Sequence, residues 1–192
     1  MIFFIRHGET TGDLENRWGG AYNDHLTAQG QKEAEVLAKK LAQEDLEYVI
    51  TGSLFRAQET GAIINRSNLP ASVDPRFNER DGLAHLTGMR KEEAAKLYPE
   101  LVALLKDHTG VVPGGETYEV FSKRIQDALY DVAMHSPYSR IAIVSHGGPM
   151  SVLFRDILRK GEIKYQNCSF AEVSFDAGNF SLLHTEGVTV IS

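Results

Sequence analysis

Short hydrophobic runs of strand length alternate along this chain with longer stretches of helical periodicity. Between residues 27 and 44 apolar side chains recur at i, i+3, i+4 and i+7, which predicts a helix with one buried stripe. The same spacing predicts a helix over residues 117–135. Continuous apolar runs, rich in β-branched residues, predict buried strands. These runs are residues 2–5, 48–51 and 141–145, with a shorter candidate at 71–74.

Capping, proline and glycine signals bound the remaining elements. Ser53 is placed to cap a helix that ends near Asn65, and Pro149 is predicted as the first residue of another helix. Residues 90–105 have a helical pattern interrupted at Pro99. A turn at Pro113-Gly114-Gly115 follows, and strands at 171–176 and 180–185 close the chain around the hairpin signal Asp176-Ala177-Gly178-Asn179.

This alternation of strands and helices implies an α/β layer fold with a largely parallel sheet. In such sheets the ligand crevice lies at the carboxyl ends of the strands. A length of 192 residues suits one domain, residues 1–192, without repeats or linkers. Residues 77–115 are the least regular part and predict a lid or insertion segment.

Composition narrows the possible partners. A formal net charge of −6 argues against a nucleic-acid binder, although clustered arginines can still hold a phosphate. No apolar run approaches the roughly 20 residues needed to cross a membrane, and the start has no basic leader, so we expect no membrane partner. The single cysteine, Cys168, fits a reducing cytoplasm. The oligomeric state stays open, and a homodimer remains possible.

Three groups of chemically useful residues directly follow predicted strands. Arg6-His7-Gly8 follows the first strand, Ser53-Leu54-Phe55-Arg56 the second, and His146-Gly147-Gly148 the strand at 141–145. A parallel sheet would bring these groups to one edge, although they lie far apart in the sequence. We therefore expect one site built from strand ends.

Phosphoryl transfer gives each of these residues a chemical reason. The neutral imidazole of His7 can attack phosphorus and form a phosphohistidine, which divides one difficult displacement into two easier ones. Charge on the transferring group calls for cationic donors, which Arg6 and Arg56 supply as planar forks and protonated His146 would supplement. Gly147 and its neighbour leave backbone N–H groups unobstructed at a helix N-terminus, where anions bind readily.

Other chemistries lack a matching pattern. There is no HExxH, no CxxC and no carboxylate cluster with metal-ligand spacing, so we expect no metal and no cofactor. There is no GxSxG elbow, and Cys168 is expected to be a packed thiol.

Phosphoryl transfer also needs a proton for the leaving group and later a base for water, and Glu79 is the candidate for both roles. The other histidines are interpreted as surface residues: His25, His85, His108, His135 and His184.

Taken together, these residues resemble the histidine phosphatase superfamily, which includes cofactor-dependent phosphoglycerate mutases and related acid-type phosphatases. The resemblance spans nearly the whole chain and implies a three-layer α/β/α sandwich with a mostly parallel central sheet. It also implies that His7 is the phosphorylated nucleophile, with Glu79 as general acid and base. The matching segments are residues 6–10 (RHGE(S/T)), 24–30 (DxxLTxxG), 53–60 (SxLxRAxxT), 113–117 (PGGE(S/T)) and 144–148 (VSHGG).

The resemblance is less complete around the substrate. Asp13 stands where many members carry Asn, so either Asp13 turns away from the phosphate or Asn16 takes that role. After Glu79 the chain keeps Arg80 but lacks the Tyr-Gly-Gly that follows in the mutases. The residues assigned to substrate binding are Thr10, Asp13, Asn16, Gly20, Arg80 and Gly147.

Hydrolysis of a small-molecule phosphomonoester is the predicted reaction. A mutase must shield its phosphohistidine from water, and the mutases of the family are longer, with extra chain around the lid. This chain has little material for such a shield. Two alternatives stay open: phosphoryl transfer of the phosphoglycerate mutase type, and a non-catalytic module that binds a phosphorylated ligand.

Overall fold

One six-stranded sheet organises residues 1–191, the part of the chain that the computed structural model describes. The strands are β1 (Ile2–Arg6), β2 (Tyr48–Thr51), β3 (Ala71–Val73), β4 (Ile141–Ser145), β5 (Glu162–Asp176) and β6 (Asn179–Ile191). Their order across the sheet is β3-β2-β4-β1-β5-β6. The first four strands are parallel, whereas β5 runs antiparallel to both β1 and β6. The predicted α/β class with a mostly parallel sheet is confirmed.

Helices cover both faces of this sheet and complete the three layers. They are α1 (Thr11–Leu14), α2 (Ala28–Leu41), α3 (Phe55–Ile64), α4 (Lys91–Leu97), α5 (Pro99–Val102), α6 (Tyr118–His135) and α7 (Gly147–Val152). Short 3-10 turns separate some of them, and a π-helical turn, Leu153–Ile157, extends α7. No helix within residues 1–191 combines the length and the apolar character needed to span a membrane.

Strand β1 is buried on both faces because its side chains alternate between two cores. Ile2 and Phe4 join the core that α6 and α7 cover. Phe3 and Ile5 join the core on the opposite face, under α2 and α3. The apolar run that predicted the strand is thus explained by the two layers of helices.

Helix α6 shows how the periodic pattern produces packing. Its side chains Phe121, Ile125 and Leu129 are almost fully buried against the sheet. Burial of an aliphatic or aromatic side chain of this size contributes about 1.5–3 kcal/mol. The Thr117 side chain accepts a hydrogen bond from the backbone N–H of Val120 and caps the first turn, close to the predicted start of the helix at residue 117.

Two predicted helix starts are wrong. Helix α3 begins at Phe55 after Leu54, without a side-chain cap, because the Ser53 hydroxyl accepts a hydrogen bond from the Asn78 amide instead. Helix α7 begins at Gly147, because the His146 carbonyl already accepts a hydrogen bond from the Met150 N–H. Pro149 is therefore the third helical residue, still within the first turn, where an N–H group has no intrahelical partner.

The closing hairpin is longer than its predicted strands at 171–176 and 180–185. Its two-residue turn, Ala177-Gly178, lies inside the predicted turn. The pairing register of β5 and β6 shifts between Tyr165 and Phe170, and Cys168 has a positive φ of 51°. This bulge breaks the alternation of buried and exposed residues, which explains why the first half of β5 carries no recognisable strand pattern.

Residues 77–115 pack around a small core of their own. Its buried members are Leu86, Ala94 and Val112, and Trp18 from the loop after α1 packs against them. Helices α4 and α5 are separate, as the interruption before Pro99 predicted. The predicted function of this segment as a lid stays a prediction.

Candidate active site

The carboxyl ends of β1 and β4 place two histidines side by side. The rings of His7 and His146 are 5.2 Å apart between centroids. The Nε of Arg56, from the start of α3, lies between them, 3.2 Å from Nε2 of His7 and 3.1 Å from Nδ1 of His146. All three side chains are buried. The structure thus brings together residues that lie up to 139 positions apart (His7 and His146), as predicted from their positions at strand ends.

Hydrogen bonds assign the protons on both rings. Nδ1 of His7 lies 2.7 Å from the carbonyl oxygen of Gly8, which can only accept, so Nδ1 carries the hydrogen. The lone pair of His7 is then on Nε2, facing Arg56. His146 accepts through Nδ1, so its hydrogen is on Nε2, which is buried without a hydrogen-bond partner in residues 1–191.

Both histidines are held neutral. Burial lowers the pKa of His7 well below its ordinary value, and the charge of Arg56 lowers the pKa further. The same two causes, in the same order, lower the pKa of His146. Sequence analysis considered a protonated His146 as a third cation; in this structure the surroundings disfavour that form. Neutral His7 retains the lone pair that a nucleophile needs.

These lowered pKa values predict a loss of stability in mild acid. Below pH 6.5 the two histidines bind protons in the unfolded chain but stay neutral in the folded one. The free energy of unfolding should therefore fall by up to about 1.4 kcal/mol per pH unit for each histidine. The fall begins near the unfolded pKa and continues until the pH reaches the folded-state pKa values.

Urea unfolding between about pH 7.5 and about pH 5 measures this slope. A His146→Asn variant should show a shallower slope than the wild type, because it removes one of the two proton-binding differences. Equal slopes for the two proteins would contradict the assignment of a buried neutral imidazole.

The two terminal nitrogens of Arg56 also have partners within the protein. Its guanidinium forms an ion pair of 2.8 Å with Asp24, and both side chains are only 4% exposed. It also donates to the carbonyl oxygens of Gly20 and Tyr22. Asp24 in turn accepts from the backbone N–H of Gly12. Sequence analysis placed Asp24 in a recognisable segment but gave it no role; here it compensates the charge of Arg56.

Arg6 has different surroundings from Arg56. One terminal nitrogen donates to the amide oxygen of Asn167 at 2.6 Å, and the guanidinium carbon lies 5.0 Å from the centre of the Tyr165 ring. Its Nε is buried without a partner in the described chain. Neither Asn167 nor Tyr165 was found by sequence reasoning, because both belong to the irregular part of β5, which carries no motif.

Glu79 is fixed beside the start of α7. One carboxylate oxygen accepts from the backbone N–H of Gly148 at 2.9 Å, and the other accepts from that of Arg80 at 2.8 Å. A side chain at residue 148 would collide with the Glu79 carboxylate. The second glycine of His146-Gly147-Gly148 therefore makes room for Glu79.

Two of the predicted substrate-binding residues bond to each other. Thr10 caps α1 by accepting from the Asp13 N–H, and the Asp13 carboxylate accepts from the Thr10 N–H, both at 3.1 Å. The Asp13 carboxylate is thus engaged in the first turn of α1, and whether Asp13 or Asn16 faces the phosphate stays a prediction. Asn16 is exposed and lines a cavity of about 660 Å³ that it shares with Arg90 and Lys96. That cavity does not include His7.

The remaining predicted substrate-binding residues support the surrounding chain. Arg80 donates to the carbonyl oxygens of Glu116, His108 and Thr109, and so holds residues 108–116. The carbonyl oxygen of Gly20 accepts from Arg56, and Gly147 packs against the Tyr165 hydroxyl. Their assignment to substrate binding stays a prediction.

Gly8 serves helix packing. A side chain there would lie 2.5 Å from the carbonyl oxygen of Gly30, so the loop after β1 can approach the first turn of α2 only because residue 8 is glycine.

The remaining candidates are the Cys168 thiol, metal-binding clusters and the five other histidines. Burial raises the pKa of the Cys168 thiol to about 12, which disfavours the reactive thiolate. Within residues 1–191 no group of three His, Cys, Asp or Glu side chains is arranged to hold a metal ion. The five histidines interpreted as surface residues are exposed, which confirms that interpretation: His25, His85, His108, His135 and His184.

The chain is similar to known proteins along most of its length. A family model described as the histidine phosphatase superfamily (branch 1) matches residues 2–186. A probable phosphoglycerate mutase GpmB from Enterobacter sp. (strain 638) is 30% identical over 185 residues, which cover 91% of this chain and 85% of that protein.

Solved structures of similar fold cover nearly the whole chain. Bacillus stearothermophilus YhfR matches with a TM-score of 0.86 and 24% identity over 94% of each chain. A mycobacterial glucosyl-3-phosphoglycerate phosphatase, in a structure with VO3, matches with a TM-score of 0.81 and 22% identity, covering 94% of this chain and 96% of that one. These likenesses confirm the predicted fold.

Proposed function

The chain belongs to the histidine phosphatase superfamily, and from this premise we propose that it hydrolyses phosphomonoesters through a covalent phosphohistidine at His7. One observation carries the proposal. Nε of Arg6 and Nε2 of His146 are buried donors without partners in the described chain, and both belong to the site around His7. A buried unpaired donor is unfavourable by about 1–3 kcal/mol. Phosphoryl oxygens are acceptors that would satisfy such donors.

In the first step, Nε2 of His7 attacks phosphorus as the bond from phosphorus to the ester oxygen breaks. The departing alcohol oxygen takes a proton from Glu79, so a neutral alcohol leaves. Arg6, Arg56 and the Nε2–H of His146 stabilise the charge on the phosphoryl oxygens. His7 then carries the phosphoryl group on Nε2.

In the second step, water attacks phosphorus and the bond from phosphorus to Nε2 breaks. Glu79, now ionised, takes the proton of the attacking water and returns to its starting form. Two backbone N–H groups fix the carboxylate, so the same oxygen atoms can serve both steps. Inorganic phosphate leaves, and His7 is again neutral.

Phosphoglycerate mutase-type transfer is the second candidate, and the 30% identity to a probable GpmB favours it. A mutase must hold the carboxylate of a phosphoglycerate. Two arginines near Glu79 are engaged: Arg80, the next residue, with three carbonyl oxygens, and Arg124, which lines the same cavity as Glu79, with Glu116 at 2.7 Å. This engagement supports hydrolysis.

Replacing Glu79 with glutamine should discriminate between leaving groups. Without the proton donor, kcat/KM for an alkyl ester such as glycerol 3-phosphate should fall by about 10²–10³-fold. With p-nitrophenyl phosphate the fall should be less than about tenfold, because nitrophenolate leaves without a proton. Steady-state assays on both esters provide the comparison.

Asp81→Asn is the matched control for Glu79→Gln, since it removes an exposed carboxylate two residues away. It should lower kcat/KM for both esters by the same small factor. If Glu79→Gln also affected the two esters equally, Glu79 would not be the proton donor.

The proposed reaction is tested with p-nitrophenyl phosphate in the presence of EDTA. Every catalytic group in the proposal is a side chain, so turnover should survive the chelator. The same preparation should interconvert 2- and 3-phosphoglycerate slowly or not at all, even with 2,3-bisphosphoglycerate added. Rapid interconversion without net phosphate release would favour the mutase instead, and binding without either reaction would indicate a non-catalytic module.

A further inference from the structure

The bulge in β5 is attached to the backbone of the His7 segment. The Cys168 N–H donates to the carbonyl oxygen of His7 at 3.1 Å, at the point where the register of β5 shifts. The positive φ of Cys168 turns the preceding residues towards the site. A segment about 160 positions away thus contacts both Arg6 and His7.

Asn167, the residue before Cys168 in this bulge, orients the Arg6 guanidinium without neutralising its charge. Its amide oxygen accepts from a terminal nitrogen of Arg6 at 2.6 Å. No carboxylate within residues 1–191 forms an ion pair with Arg6, whereas Arg56 is paired with Asp24. With neutral histidines, and with Glu79 in the protonated form that the first step requires, the charges of Arg6 (+1), Arg56 (+1) and Asp24 (−1) sum to +1. Arg6 therefore supplies the net positive charge of this group.

Tyr165 covers the face of the same guanidinium. The Arg6 guanidinium carbon lies 5.0 Å from the ring centre, a distance typical of cation–π contacts. The Tyr165 hydroxyl packs against Gly147 at the start of α7. An aromatic face, like an amide oxygen, holds a guanidinium in place and leaves its full charge available.

We propose that Asn167 is a positioning residue that holds Arg6 against the transferring phosphoryl group, and that its neutrality keeps the site net cationic. The inference rests on the proposed function of this site. It predicts a specific requirement at residue 167: the side chain must accept a hydrogen bond and must not carry a negative charge.

Two substitutions separate this role from a structural one. Asn167→Ala removes the anchor of Arg6 and should weaken the binding of inorganic phosphate and kcat/KM by about tenfold. Asn167→Asp keeps the size and the acceptor but pairs with Arg6, so both quantities should fall by about 10²-fold or more. Gln166→Glu is the matched control, because it adds the same charge at the exposed neighbouring residue. It should change both quantities less than about threefold.

The relative phosphate affinity and kcat/KM of Asn167→Ala and Asn167→Asp decide between a positioning role and a structural one. A purely structural hydrogen bond would be better preserved by aspartate than by alanine, so an Asn167→Asp variant that binds phosphate and turns over as well as Asn167→Ala, or better, would overturn the proposal. In NMR titrations, Asn167→Asp should also raise the pKa of His7 by offsetting the Arg6 charge that lowers it. Gln166→Glu should produce a much smaller change.

Because phosphate affinity is measured as well as turnover, the role of Asn167 is tested separately from the proposed reaction. Absence of turnover in the wild type would refute hydrolysis, yet the order of phosphate affinities would still test Asn167. Conversely, an active wild type with equal affinities in the two variants would refute only the role of Asn167. If Asn167→Asp does not fold, Asn167→Ala compared with Asn167→Ser still tests the acceptor, since serine should restore part of the lost affinity.

Discussion

Replacing His7 with alanine should lower the turnover of a phosphomonoester by at least about 10⁴-fold, because a two-step reaction loses its only attacking atom. The imidazole is buried, neutral and hydrogen-bonded through Nδ1, so its Nε2 lone pair is directed towards Arg56 and His146. The phosphate-binding donors of Arg6, Arg56 and His146 stay in place in the variant. Initial rates with p-nitrophenyl phosphate, measured in EDTA, give the ratio.

The fold and the anion site must be intact in this variant for the result to be interpreted. His7→Ala should still bind inorganic phosphate, with an affinity within about tenfold of the wild type, since the cationic donors are retained. His135→Ala, which changes an exposed histidine near the end of α6, should keep full activity. A His7→Ala protein that binds phosphate and turns over at the wild-type rate would remove His7 as nucleophile.

Replacing Asp24 with alanine should destabilise the protein by about 3–5 kcal/mol, because it leaves the buried Arg56 guanidinium without its counter-charge. The variant also loses the acceptor for the Gly12 N–H. Since a phosphate dianion can compensate Arg56, added phosphate should raise the melting temperature of Asp24→Ala more than that of the wild type. Urea unfolding and thermal melts with and without phosphate measure both effects.

A surface ion pair provides the comparison. Lys96 and Glu92 form an i,i+4 pair at 2.9 Å with both side chains mostly exposed, so Glu92→Ala should change stability far less than Asp24→Ala does. Equal destabilisation by the two substitutions would show that the pairing of Asp24 with Arg56 contributes little. If phosphate raised the melting temperatures of Asp24→Ala and the wild type equally, the charge of Asp24 would not be coupled to anion binding.

The sequence predicts the part of the site that strand ends assemble. Arg6, His7, Arg56 and His146 each follow a buried strand or begin the next helix, so the parallel order of the sheet is enough to bring them together. Hydrophobic periodicity likewise predicts α2, α6, β2 and β4 with bounds that differ by only a few residues from those observed. These features depend on local pattern plus one rule of topology.

The partners of those residues depend on long-range packing and are not readable locally. Asn167 and Tyr165 reach Arg6 only because β5 returns antiparallel beside β1 and then bulges. Asp24 reaches Arg56 because the loop before α2 folds over the start of α3. A β-bulge and a loop leave no periodic signal, so sequence reasoning found the catalytic candidates and missed the groups that position them.

Near α1, the difference between the expected and the observed contacts of Asp13 has a local cause. Asp13 was compared with an asparagine that faces phosphate, yet it lies three residues after Thr10, the spacing of a capping box. The reciprocal bonds between the two residues satisfy backbone N–H groups at the start of α1. A carboxylate can only accept hydrogen bonds, which suits the capping N–H of Thr10 better than the oxygens of a phosphate.

Trapping of the phosphorylated enzyme tests directly whether His7 is the nucleophile. Mixed with p-nitrophenyl phosphate, Glu79→Gln should phosphorylate His7 readily but hydrolyse the intermediate slowly, because water lacks its base. We expect a burst of about one nitrophenolate per active site and a phosphoryl group on His7 that survives alkali and is lost in acid. Absence of both the burst and the label, or a label on another residue, would contradict a phosphohistidine at His7.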